Sequence, residues 1–202
     1  MPASKRLRRA AVALFVCATL AARAPIASAA DPSLLIGRGS HILDVNLGYG
    51  RWLDSHAPPG SFGFGVGFLH FTSDYSAVGV DVTADRLGET APAPGQEAEN
   101  LELVSVLAQG VVHPPEKALT PYVGVGTGPY FFRSSGANTD QAHTHWGIMA
   151  RTGFRMVNWR PIVGVDYRYH WIMLDPGDPA SPAPGHSVTH AMSLKLTMSF
   201  LF

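Results

Sequence analysis

Residues 192–202 read Met-Ser-Leu-Lys-Leu-Thr-Met-Ser-Phe-Leu-Phe, and this run carries the clearest signal of secondary structure in the chain. Its even-numbered positions are all apolar, while positions 193, 195, 197 and 199 are polar. Because successive side chains of a β-strand point to opposite faces, a period of two predicts a strand with one apolar face and one polar face.

The same period recurs upstream in seven other segments. Residues 163–169 read Val-Gly-Val-Asp-Tyr-Arg-Tyr, and residues 62–68 alternate apolar side chains with glycines. The predicted strands span residues 40–52, 61–71, 75–86, 99–112, 121–132, 143–156, 160–172 and 187–202. The fourth is the least clear, since both of its faces carry apolar residues. The pattern predicts an all-β fold, an eight-stranded antiparallel up-and-down barrel.

The predicted connections alternate in kind. Those at 72–74 and 157–159 are short, whereas those at 53–60, 87–98, 133–142 and 173–186 are longer and rich in Pro, Gly and Ser. Long loops at one end and short turns at the other are typical of outer-membrane barrels. A soluble lipocalin-type barrel, with its apolar face inside, shows the same period. Alternate glycines on the polar faces and aromatic residues near segment ends favour the transmembrane arrangement.

In these features the chain resembles the small eight-stranded outer-membrane barrels of Gram-negative bacteria, the OmpA/OmpW-like superfamily. The resemblance rests on Pro-Tyr-Val-Gly-Val-Gly-Thr-Gly at 121–128, on residues 163–169 and on the terminal Phe202. It implies a location in the cell outer membrane, with outer-membrane lipids as partners. It also implies that Phe200 and Phe202 form the insertion signal read by the barrel-assembly machinery. A monomer is the expected state.

The first 30 residues predict a signal peptide. A basic start at residues 5–9 precedes an apolar run at 10–22, too short for a transmembrane helix, and Ala-Ser-Ala-Ala at 27–30 offers a cleavage site. The expected domains are a signal peptide at 1–30 and an outer-membrane barrel at 31–202. Ten basic residues face fifteen acidic ones after residue 30, and this net charge of −5 argues against a nucleic-acid partner. The single cysteine, Cys17, lies in the signal, so a disulfide in the barrel is not expected.

Charged side chains within the strands are the candidate site residues, because a Lys or Arg that faces lipid at mid-depth costs about 2–4 kcal/mol. We expect them to form a charge network in the lumen, comprising Asp44, Asp81, Asp85, Glu102, Arg151, Arg155, Asp166, Arg168 and Lys195. Folding the sixth strand onto the seventh about a turn at 157–160 places Arg151 opposite Asp166 and Met149 opposite Arg168. Two interpretations remain open: mutual neutralisation in a plugged interior, or a selective pore lined by these residues.

Histidines gather toward the predicted external end, at positions 143, 145, 170, 186 and 190. His143, His145 and His170 would suit a divalent metal, but their spacing matches no zinc motif. Ser187 and His190 lie near the depth where lipid-modifying barrel enzymes act, yet their parity points them to opposite faces of a regular strand. We therefore predict no catalytic residue, no metal site and no cofactor.

Together these features predict a non-enzymatic outer-membrane barrel with a structural or surface-interaction role. Loops at 87–98 and 173–186 are the candidate contact surfaces for an external ligand, which the sequence does not identify. A narrow conduit or binding barrel for small apolar molecules is the first alternative. An outer-membrane enzyme that modifies lipid A or phospholipids is the second.

Overall fold

The computed structural model describes residues 36–53, 60–90, 99–114, 119–135, 140–157, 161–175 and 187–202. They form eight strands: β1 (His41–Trp52), β2 (Ser61–Ser73), β3 (Ser76–Thr90), β4 (Glu99–Val112), β5 (Leu119–Ser135), β6 (Asp140–Met156), β7 (Ile162–Met173) and β8 (Val188–Leu201). Within these ranges no helix is long and apolar enough to cross a membrane. The predicted signal peptide lies outside the described residues and stays a prediction.

The strands form one closed barrel in sequence order. Each strand pairs antiparallel with the next, and β8 closes the barrel on β1, with Leu201 opposite Ile42. The predicted antiparallel up-and-down barrel of eight strands is confirmed. Closure pairs the backbone of every strand on both sides, which a chain needs where no water is present to satisfy peptide groups.

In the β5–β6 hairpin both predicted strands are too short. Its loop is predicted at 133–142, but the strands continue to Ser135 and from Asp140, with Arg133 opposite Ala142. Backbone pairing continues there without the apolar alternation that marks a strand in the sequence. The loop at 87–98 is shortened similarly, because β3 extends to Thr90 past a register shift between Arg86 and Glu89.

The barrel has a polar inner face and an apolar outer face. On β1 the Asp44 side chain is 1% exposed and Leu47 58%, and on β8 Lys195 is 1% exposed and Leu196 68%. Apolar faces of the other strands also point outward, including Phe62, Phe64, Val123, Val125, Trp146 and Ile148. A soluble domain does not expose so much contiguous apolar surface, whereas a bilayer covers it. The transmembrane arrangement holds, and the lipocalin-type alternative is wrong.

Glycines on the inner face of β2 make room for the lumen side chains. A Cβ atom added at Gly63 would lie 1.7 Å from the Oδ1 atom of Asp85 and 2.9 Å from its Cα atom. Eight strands leave an interior only just wide enough for side chains, so the three inner glycines of β2 (Gly63, Gly65 and Gly67) offset the bulk of the strands that carry Arg and Lys.

Candidate functional site

The lumen is organised around Arg168 of β7, a fully buried guanidinium. Its Nε atom donates a hydrogen bond to Asp166 Oδ2 at 2.7 Å. Its Nη1 atom donates to Asp81 Oδ1 at 2.8 Å and to Thr83 Oγ1 at 3.1 Å. The planar guanidinium thus links β7 to β3 across the barrel, a geometry that suits its fixed fork of donors.

Arg151 of β6 binds the same carboxylate from the other side. Its Nη2 atom lies 2.7 Å from Asp166 Oδ2, and its Nη1 atom donates to Gln109 Oε1 at 2.6 Å. The guanidinium carbon also lies 5.2 Å from the centre of the Tyr122 ring, within the range of a cation–π contact. Asp166 therefore holds two arginines together.

Two further ion pairs complete the network. Arg155 Nη2 lies 3.0 Å from Asp44 Oδ2, and Ser199 Oγ donates to the other oxygen of this carboxylate. Lys195 Nζ lies 2.9 Å from Asp85 Oδ1. These pairs join β6 to β1 and β8 to β3 through the interior.

Charge is balanced within this buried set. Four carboxylates (Asp44, Asp81, Asp85 and Asp166) face four cations (Arg151, Arg155, Arg168 and Lys195), and every carboxylate has a basic nitrogen within 3.0 Å. A buried charge is tolerated when it is paired and hydrogen-bonded. The structure thus brings together eight of the nine residues of the sequence-predicted network.

Glu102 is the exception, and its expected place in the lumen is wrong. Its neighbour Leu103 is buried in the lumen, so Glu102 lies on the outer face of β4, where it is half-buried. There it stands in register between Arg86 of β3 and Arg133 of β5. Because both faces of β4 carry apolar residues, the sequence did not show which face of this strand points into the lumen. In the structure the face with the leucines points inward.

The predicted register between β6 and β7 is also wrong, by two residues. Arg151 stands opposite Arg168 and Met149 opposite His170, because the connection is longer than the predicted turn. A shift of two keeps every side chain on its face. Arg151 therefore still reaches Asp166, as a diagonal neighbour, and this carboxylate separates two arginines that would otherwise repel each other.

Apolar side chains close the lumen on both sides of the charged layer. The loop-end cluster consists of Trp52, Leu103, Leu107, Tyr130, Phe132, Met149, Ile172, Leu174 and Ala191. The turn-end cluster consists of Ile36, Ile42, Leu69, Phe71, Ala77, Val111, Tyr122, Val157 and Ile162. The sequence pattern does not predict either cluster, since apolar residues on the polar face of a strand look like breaks in its alternation. Aligning the strand ends by register would have revealed them.

Some lumen polar groups lack a hydrogen-bond partner among the described residues. The side chains of Asn46, Ser193 and Thr197 are buried in this state. An unsatisfied buried polar group costs about 1–3 kcal/mol. The ion pairs therefore coexist with unsatisfied groups in the described part of the lumen, most of them neutral side chains of β1 and β8, together with Gln109 Nε2 and Arg155 Nε.

The predicted external histidines do not converge on one point. The rings of His143 and His145 stack with their centres 6.5 Å apart, while His170 Nδ1 is hydrogen-bonded to Tyr130 Oη at 2.9 Å. His190 lies outside the barrel against Tyr169, and His186 is beyond the described residues. The part of the chain that the structure describes contains no group of three or more His, Cys, Asp or Glu side chains suited to a metal.

The other predicted residues lie at the surface. Ser187 is exposed and precedes β8, so it is not placed against a histidine base by the strand. Phe200 is exposed on the outer face of β8, and Phe202 is exposed as well. Nothing in the structure tests their role as an insertion signal.

Comparison with known proteins identifies the fold. No protein-family model and no curated protein matches the chain. Among solved structures, neisserial surface protein A (NspA) matches with 15% identity and a TM-score of 0.64, over 82% of this chain and 100% of that one. Ail, the attachment invasion locus protein of Yersinia pestis, matches with 14% identity and a TM-score of 0.53, over 81% and 99%. OprG of Pseudomonas aeruginosa matches with 13% identity and a TM-score of 0.52, over 82% and 97%.

At these identities the likeness shows the fold alone. The chain has the fold of the small eight-stranded outer-membrane barrels, and the predicted resemblance is confirmed at that level. The apolar outer surface and closed strand ladder agree with this fold.

Proposed function

Because the chain has the fold of a small outer-membrane barrel, we propose that the protein is a non-enzymatic barrel with a structural or surface-interaction role. The observation that carries the proposal is the closed ion-pair network of the lumen. Its four carboxylates and four cations bind one another, so none of these eight groups in the described part of the lumen is left over for a transported ion or a reaction.

The two apolar clusters support the same proposal. Ions cross narrow passages lined by polar groups, whereas the charged layer here is enclosed between Trp52 and Leu107 at the loop end and Leu69 and Phe71 at the turn end. Eight-stranded barrels are generally filled by side chains, and aqueous channels need more strands. A conduit through the lumen is therefore disfavoured.

The enzymatic alternative has less support. Its candidate base, His190, packs against the Tyr169 ring with 5.8 Å between ring centres, on the outer surface of the barrel. Ser187 lies three residues earlier in the chain, outside β8. A serine nucleophile needs a histidine within hydrogen-bonding distance, whereas the Nδ1 atom of His190 has no hydrogen-bond partner among the described residues.

The external loops are the proposed interaction surface. The segments 91–98 and 176–186 lie outside the described residues, and they connect β3 to β4 and β7 to β8, which are strands of the closed barrel. Binding residues on loops held by a rigid scaffold are common in proteins. Two of the similar structures bear names of this kind, a surface protein and an attachment invasion locus protein.

Export and insertion complete the proposal. Residues 1–30 would act as the signal peptide, and the barrel-assembly machinery would read Phe200 and Phe202 at the end of the chain. The barrel would then stand as a monomer among outer-membrane lipids, with no cofactor and no nucleic-acid partner.

Conductance in planar bilayers tests the proposal. We expect the refolded barrel to give no conductance steps, because the lumen is sealed at both ends. Reproducible steps that change in Arg151→Ala or Asp166→Ala would establish a conduit instead. Mass spectra of lipid A from producing cells address the enzyme alternative, which requires altered masses that disappear in His190→Ala.

A further inference from the structure

Two histidines form a pair on the outer surface of the barrel. His41 opens β1, and His70 lies near the end of β2, directly opposite it in the strand register. Both side chains are half-buried. They lie at the end of the barrel that carries the short β2–β3 turn, which in outer-membrane barrels is the periplasmic end.

The two imidazoles are close and held in place. Their Nδ1 atoms are 3.3 Å apart, and their ring centres are 4.8 Å apart. Phe68 stacks on His41 with 5.6 Å between ring centres and an angle of 25° between the rings. The backbone ladder of β1 and β2 fixes the two Cα atoms, so little freedom remains beyond rotation of each ring.

This spacing matches the requirement of a tetrahedral metal centre. Zinc–imidazole bonds of about 2.0–2.1 Å at a tetrahedral angle put two ligand nitrogens about 3.3–3.4 Å apart. The Nδ1 atoms already have this separation. In the hydrogen-bonded pair one Nδ1 atom donates its proton to the other. When both rings carry the proton on Nε2 instead, rotation of each ring turns both Nδ1 lone pairs toward a common point beside them.

We propose that His41 and His70 form a binding site for a divalent transition-metal ion, with Zn²⁺ as the representative ligand. Two neutral imidazoles, each protonated at Nε2, donate through Nδ1, and imidazole suits Zn²⁺, Cu²⁺ and Ni²⁺. Water or a phosphate oxygen from the lipid headgroup region supplies the remaining positions. The bound ion joins β1 to β2 beside the strand pair that closes the barrel.

The proposal is independent of the role of the lumen. It uses residues of the outer face alone, and the metal is held by two protein ligands only. The sequence alone does not reveal the site, because His41 and His70 are 29 residues apart and only the β1–β2 register brings them together.

Zinc titration of the refolded barrel in detergent, followed by calorimetry, tests the site. We expect one Zn²⁺ per chain, with His41→Gln and His70→Gln each weakening binding by about a hundredfold, the lower end of what linking two binding groups adds. His190→Gln is the matched control, since His190 is also a half-buried histidine of the outer face. Heat-modifiable gel mobility checks that each variant folds.

A second readout identifies the ligands directly. With Cu²⁺ as the probe, electron paramagnetic resonance of the barrel in lipid vesicles should show coupling to two imidazole nitrogens, reduced to one in either single variant. The proposal is overturned if the His41→Gln/His70→Gln double variant binds Zn²⁺ as tightly as the unmodified barrel. It is equally overturned if His190→Gln weakens binding as much as His41→Gln does.

Discussion

Among single residues, Arg168 is central to the lumen, because its guanidinium holds Asp81 and Asp166 in one buried network. Burying ionic groups is expensive, and the pairing offsets the cost only while each charge keeps its partner. Removing one charged side chain should therefore lower the free energy of unfolding more than removing both partners of an ion pair.

Arg168→Met should lower the free energy of unfolding by about 3–5 kcal/mol, because Asp81 loses its cation. Urea unfolding of the refolded barrel in lipid vesicles measures the change. The double variant Arg168→Met/Asp81→Asn is the control and should be more stable than the single variant, since Asp166 keeps Arg151. Equal losses in both variants would show that the ion pair is not the cause.

His113 gives the barrel a pH dependence. It follows β4 at the turn end, with its ring edge against Phe71 at 5.3 Å between centres and its Nδ1 atom 2.9 Å from the Pro114 carbonyl oxygen. Burial lowers the pKa of His113 below its ordinary value of 6.5, although the Pro114 carbonyl opposes the shift. The unfolded chain therefore binds the proton more tightly, and stability is lost as the pH falls below 6.5.

Unfolding midpoints in urea from about pH 7.5 to about pH 5 measure this effect above the range in which most carboxylates titrate. The urea concentration at the unfolding midpoint of the unmodified barrel should decrease as the pH falls below 6.5. In His113→Gln this decrease should be smaller. An identical decline in the variant would assign the pH dependence to other groups.

Among the strands, β2 and β4 differ in the space that surrounds their glycines. Position 63 on the inner face of β2 is glycine because Asp85 of the neighbouring strand occupies the space that a Cβ atom would need. Gly110 of β4 has no atom within 4 Å of the same position. These two glycines make a matched pair for testing the packing of the lumen.

Gly63→Ala should cost about 1–3 kcal/mol of unfolding free energy, because the new methyl group displaces Asp85 from Lys195. Gly110→Ala should stay within about 0.5 kcal/mol. Thermal or urea unfolding of both variants decides the matter. Comparable losses at both sites would contradict the crowding of the lumen face.

Two acidic residues at almost the same position along the barrel axis test which face of β4 points into the lumen. Glu102→Gln should change the unfolding free energy by about 1 kcal/mol at most, as expected for a charge pair at the surface. Asp85→Asn should cost about 3–5 kcal/mol, because it leaves Lys195 buried without its carboxylate. If Glu102→Gln proved as costly as Asp85→Asn, Glu102 would belong to the lumen after all.

These strands also show what the sequence can predict. The period of two places Asp81, Asp166 and Lys195 inside because alternation survives in any register. The β6–β7 register is invisible to the pattern, since a shift of two residues moves Arg168 without changing its face. The pattern also does not show which face of β4 points inward, because Leu103 and Val104 make both of its faces apolar.

At the scale of the whole molecule, the barrel is layered along its axis. A charged layer with Arg151 and Arg168 lies between the loop-end cluster and the turn-end cluster, and an apolar surface surrounds all three. The sequence predicts the surface, since it follows from alternation alone. It does not predict the two clusters, because Phe71 and Phe132 become neighbours of other apolar residues only when eight strands close into one barrel.

The most direct test of this membrane barrel is the gel mobility of the refolded chain, heated and unheated, with circular dichroism on the same sample. We expect a β spectrum and a heat-modifiable band in detergent or lipid, and no folded species without them. A protein that folds in buffer alone and stays soluble would contradict the outward apolar face, and with it the account of the lumen.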